Sequence, residues 1–112
     1  MTELSAEDAK LVTLARATRA RTGAAEGAAV RDENGRTYAA ATVELPSLRL
    51  TALEVCVAMV ISSGSRGLEA AVVLTQAVGG VAGLASVRDF AGSGVPVHVG
   101  DHGGGIVDQT TT

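Results

Sequence analysis

Aromatic side chains are nearly missing from this chain: Tyr38 and Phe90 are the only two, and there is no tryptophan. A core without large rings must be built from small aliphatic layers, which suits closely packed helices and sheet. The bases of a nucleic acid would find nothing to stack on. Nine basic against twelve acidic residues leave a net charge of −3, so no field attracts a phosphate backbone either, and nucleic acid is excluded as a partner. Cysteine occurs once, at Cys56, which rules out an internal disulfide or a multi-thiolate metal site and fits a reducing compartment. No apolar run reaches the ~20 residues that a membrane span needs. The opening "MTELSAEDAK" is acidic and polar, unlike a signal or transit peptide, so a cytoplasmic location without membrane contact is expected.

What is present is enough for one domain. A chain of 112 residues buries about two-thirds of its extended surface on folding. Ser5 followed by Asp8 reads as a capping box, with Leu4, Leu11, Leu14 and Ala15 on one side of the segment behind it and Gly23 at its end; an amphipathic helix is expected over 6–22. Arg16, Arg19 and Arg21 in its last turns complement the helix dipole and read as a solvated basic end. "GAAVRDENGRTYAAATVEL" reads as two strands around Asn34-Gly35, a dipeptide suited to the positive φ angles of a tight hairpin. After Pro46, residues 50–61 are apolar except Thr51 and Glu54, so this helix must be covered on nearly every side by the domain or by another subunit.

"LEAAVVLTQ" has the length and continuity of a buried strand. The glycine-rich "AVGGVAG" follows, then a short helix with Leu84, Val87 and Phe90 on one side, then the strand "VPVHVG". This order calls for a mixed sheet between helix layers. The domain is expected over 1–100. The tail 101–112, "DHGGGIVDQTTT", is either disordered or adds an edge strand through "GIVDQ".

Few residues offer chemistry. Gly79, Gly80 and Gly83 lie between a strand and a helix, as in phosphate-binding loops, but Val78 stands where a dinucleotide fingerprint has glycine, and no Lys-Ser or Lys-Thr follows. Cys56, His98, Asp101 and His102 are metal-ligand types at no known spacing, and histidines at a strand end and in a glycine-rich tail are expected to be solvated. "SSGSRG" follows a helix, so no serine occupies a nucleophile elbow. Glu54 and Cys56 lie about 200° apart around a helix and cannot point into one pocket.

The order of elements together with "DENGRTYAAATVELPSLRLTALEVCVAMVISSG" resembles the cytidine deaminase family, over roughly residues 4 to 100. In that family a hairpin with a phrase like N-V-E-N-A-S leads into a buried helix beginning L-T-V-C-A-E-R, and a later strand ends at P-C-x-x-C. Val43, Glu44, Ser47, Leu50, Thr51, Val57 and Ala58 match. The resemblance implies a three-layer α/β/α sandwich, a mixed sheet with an N-terminal antiparallel hairpin, and assembly as a dimer or tetramer through the apolar helix 50–61.

Deamination in that family needs three zinc ligands to acidify a water and a glutamate to carry its proton. The resemblance puts Leu53 at the first ligand, Val55 at the glutamate, and Gly80 and Gly83 at the two later ligands. No metal or other cofactor is therefore expected. Of the ribose-contacting positions Glu44 alone would be kept, with Thr42 standing where the family has asparagine, and Gly79, Gly80 and Gly83 would face the pocket beside them. The expectation is a bacterial, catalytically inactive homo-oligomer that acts as an interaction or scaffold module for a protein partner. Its alternatives are a nucleoside or nucleotide sensor without turnover, and a deaminase using Cys56, His98 and His102 as a new metal site.

Overall fold

The computed structural model describes residues 4–112; residues 1–3, at the start of the domain expected over 1–100, lie outside the described residues. Helix α1 runs over Ala6–Thr22, as expected. Ser5 Oγ accepts from the Asp8 N–H at 3.1 Å, and Gly23 ends the helix at φ +65°. Only half of the expected capping box forms, because the Asp8 carboxylate turns to Arg31 and His98 instead of back to Ser5.

Strands β1 (Gly27–Asp32) and β2 (Thr37–Ala41) form the N-terminal hairpin. Its turn differs from the expected tight one. Asp32 N–H bonds to Arg36 O, so three residues make the loop, and only Gly35 has positive φ. The cause is Asp32, whose carboxylate accepts from the N–H groups of Asn34 and Arg36 and so favours the longer turn.

A second hairpin follows that no expectation covered: β3 (Val43–Leu45) and β4 (Leu48–Leu50), turned by Pro46-Ser47. It takes Leu50 out of the helix expected over 50–61, and α2 spans Ala52–Ser62. Strand β5 (Leu68–Leu74), helix α3 (Leu84–Ala91) and strand β6 (Pro96–Gly100) stand where the sequence placed them. Of the two outcomes open for the tail, the strand forms: β7 (Ile106–Thr111) pairs antiparallel with β6 and makes one edge of the sheet.

The sheet order is β2-β1-β5-β6-β7, antiparallel except for the β5–β6 pair. Period-two alternation divides the core between its two faces. Ala29, Ala70, Val72 and Leu74 meet Leu11 and Ala15 of α1. Ala28, Val30, Ala71, Val73 and Val97 meet Leu53, Cys56, Val57 and Val60 of α2 and Val87 of α3. This is the expected α/β/α sandwich, with small side chains bringing the layers close. At Gly27 the approach is tightest: a Cβ there would lie 2.4 Å from Ala15 O and 2.5 Å from Arg19 Cβ.

Candidate functional site

The sheet brings the starts of α2 and α3 together on one face. Helix α2 begins with a complete capping box: the Glu54 N–H donates to Thr51 Oγ1 at 3.1 Å, and the Thr51 N–H donates to Glu54 Oε1 at 2.8 Å. The Thr51-x-x-Glu54 spacing carries that signal in the sequence. Glu54 is thus a cap rather than a reactive group. Gly83, the N-cap of α3, lies directly over this box at φ +90°. A Cβ at position 83 would lie 2.3 Å from Thr51 Oγ1, 3.2 Å from Leu53 Cβ and 3.4 Å from Glu54 Cγ.

Leu53 is fully buried, and Val55, on another side of the helix, is half-buried. Gly79 and Gly80 are exposed at φ +95° and +146°, with nothing within 4 Å of where a side chain would begin. Of the glycines between β5 and α3, only Gly83 is therefore pressed against α2.

Beside this junction opens a cleft of about 360 Å³, lined by Ala25, Glu26, Thr42, Glu44, Thr75, Gln76, Ala77, Ala82 and His102. Thr42 and Glu44, singled out in the sequence, lie in it, while Gly79 and Gly80 lie outside its lining. Thr42 Oγ1 accepts from the Glu26 N–H at 3.0 Å, and the ring of His102 bonds to Ala25 O at 2.8 Å. Glu26 had no motif to announce it, and His102, considered in the sequence only as a metal-ligand type in a solvated tail, here lines the cleft. They arrive because the starts of β1 and the β6–β7 turn meet at one end of the sheet.

Cys56 and His98 are kept apart. Cys56 faces α2's own core on one side of the sheet, and burial pushes its thiol up to about 12. His98, expected to be solvated, is buried on the other side, with its ring 3.0 Å from Asp8 Oδ2. Asp8 also accepts from Arg31 at 2.9 Å, and Arg31 donates to Glu69 at 2.8 Å. Burial alone would raise the Asp8 carboxyl, but the hydrogen bonds from His98 and Arg31 and their charge hold it below its ordinary value. This chain ties α1 to β1, β5 and β6. Cys56, His98 and His102 do not converge, and among the described residues no three His, Cys, Asp or Glu side chains stand together to hold a cation.

The cytidine deaminase-like sequence family matches residues 4–104, nearly the whole chain. The chain belongs to the cytidine deaminase-like family. Its fold is similar to that of cytidine deaminase from Burkholderia pseudomallei, with a TM-score of 0.75 at 19% identity over 96% of this chain and 93% of that one. The cytidine deaminase from Mycobacterium leprae gives a TM-score of 0.69 at 18% identity over 86% of this chain and 89% of that one. Comparison with curated proteins finds no match. Among the described residues, no helix is long and apolar enough to cross a membrane.

The zinc of cytidine deaminases does not fit the residues found here. Leu53, Val55, Gly80 and Gly83, at the positions the resemblance assigns to the ligands and the glutamate, offer no side-chain nitrogen, oxygen or sulfur. The space between Gly83 and α2 is filled by Thr51 and Leu53 themselves.

Proposed function

We propose that this cytidine deaminase-like protein does not hydrolyse nucleosides and serves as a self-associating interaction module. The observation that carries this reading is the set Leu53, Val55, Gly80 and Gly83 at the start of α2 and in the β5–α3 segment. Without donors there, no water is acidified and no carboxylate moves its proton. Self-association is supported by α2, whose outward side exposes Ala58 and Ile61, the latter 54% exposed, flanked by Val55 and Met59, which are partly buried against the domain's own core. Its one charged side chain, Glu54, is committed to the cap. An apolar helix side of this kind matches the interior of a subunit interface.

A second reading has its own observation, the cleft that holds Thr42 and Glu44. With Glu26, Glu44 and no Lys or Arg in its lining, the cleft favours an uncharged hydroxyl-bearing ligand such as a nucleoside over a nucleotide. Holding a nucleoside without turnover would make the protein a sensor.

The deciding experiment is zinc per chain by elemental analysis of untagged protein purified with zinc present, together with cytidine turnover and sedimentation velocity. No zinc, no uridine and an oligomer that Ile61→Asp dissociates would support the proposal. One zinc per chain with uridine release would overturn it. A monomer at micromolar concentration would remove the self-association half.

A further inference from the structure

We infer that the junction between α2 and α3, at the place where the cytidine deaminase-like fold carries its metal, is closed in this protein by a packed joint with Gly83 at its centre. The inference rests on the assignment of Leu53, Val55, Gly80 and Gly83 used above, and it adds that changing those side chains alone cannot rebuild the site. The ground is steric. Gly83 stands at the N-cap of α3, and the missing side chain leaves room for the Thr51–Glu54 capping box of α2. Any Cβ at 83 would meet Thr51 Oγ1 at 2.3 Å, far inside contact, with Leu53 Cβ at 3.2 Å behind it. Thr51 Oγ1 cannot swing aside freely, because it is the acceptor that caps α2 through the Glu54 N–H.

A cysteine at 83 would therefore have to break the cap of α2 or push α3 away before its sulfur could meet a metal. The joint holds the two helix starts by direct packing, in the place where a shared metal would hold them. Other glycines of the same loop lack this constraint: Gly79 has nearly the same φ, at +95°, with open space around it. Gly79→Ala therefore measures the strain of a positive φ alone, and Gly83→Ala measures strain plus contact.

The test is a thermal-melting cycle on the full chain with Gly79→Ala, Gly83→Ala and Thr51→Ala. Gly83→Ala is expected to lower Tm by several degrees more than Gly79→Ala. In the Thr51→Ala background that excess should shrink markedly, since the closest opposing atom is gone and only the looser contacts to Leu53 Cβ and Glu54 Cγ remain. Equal losses for the two glycines, or an excess untouched by Thr51→Ala, would overturn the joint. A second arm adds zinc chloride to the variant Leu53→Cys, Val55→Glu, Gly80→Cys, Gly83→Cys, with and without Thr51→Ala. Tm should rise with zinc only when Thr51→Ala is also present, and a zinc-dependent rise with Thr51 intact overturns the inference. The two claims fail separately: zinc or uridine from the unmodified protein sinks the assignment, whereas absent coupling between positions 51 and 83 sinks only the joint.

Discussion

The Tyr38 hydroxyl of β2 donates a 2.7 Å hydrogen bond to Oδ2 of Asp32 at the end of β1, and Asp32 is wholly buried. The same hydroxyl lies 2.9 Å from Ser63 Oγ at the C-terminal end of α2. One phenol thus joins the hairpin turn to the helix that forms the candidate site. Tyr38→Phe keeps the ring and removes the donor, which should cost about 1.5–3 kcal/mol, the scale of a hydrogen bond to a charged group. Asp32→Ala should cost more, because the N–H groups of Asn34 and Arg36 lose their acceptor as well. Urea unfolding of both variants reads the difference, and equal costs would show that the backbone bonds contribute nothing.

Acid should destabilise the protein through two carboxylates. Burial would raise the Asp32 carboxyl, but the hydrogen bonds from Tyr38 and from the backbone N–H groups of Arg36 and Asn34 outweigh it and hold it below its ordinary value. Asp8 is lowered in the same sense. A carboxyl whose folded pKa is depressed contributes stability that is present above its unfolded pKa and is lost as pH falls through its folded one. Through these two groups the urea midpoint should hold from neutral pH down to about 5 and then fall progressively as pH drops further. Asp32→Asn should flatten that drop, and an unchanged slope would refute the assignment.

Cys56 should be chemically silent. Its buried thiol, pushed up to about 12, carries almost no thiolate near neutral pH, and the thiolate is the reactive form. A thiol-specific dye at pH 8 should leave the native protein unlabelled and take up one equivalent per chain in urea. Fast labelling of the folded protein would mean that α2 opens readily.

Gly27→Ala isolates the close approach of α1 to the sheet. The new Cβ would meet the backbone carbonyl of Ala15, which cannot rotate away as a side chain could. A loss of about 1–3 kcal/mol, the usual scale of overpacking, is expected. A neutral effect would show that α1 slides along the sheet without penalty.

The sequence by itself determined the order and kind of the main elements and the family resemblance. Hydrophobic period, the Ser5 start and the Gly23 stop are local signals, and local signals survive in a chain read alone. The ground of the proposed inactivity is also in the sequence, because Leu53, Val55, Gly80 and Gly83 carry no side-chain nitrogen, oxygen or sulfur in any conformation. Where neighbours distant in the chain competed for the same group, the local signal lost. Asp8 left its capping box for Arg31 and His98, the latter 90 residues away. Asp32 remade the Asn34-Gly35 turn, and the β3–β4 hairpin emerged from a segment too short to show a period. Only the tertiary structure decided that Cys56 and His98 lie on opposite faces of the sheet, that Glu26 and His102 line the cleft with Thr42 and Glu44, and that Gly83 rests on Thr51. Such contacts join residues that the sheet brings together, and the sheet's strand order is a property of the folded chain rather than of any stretch within it.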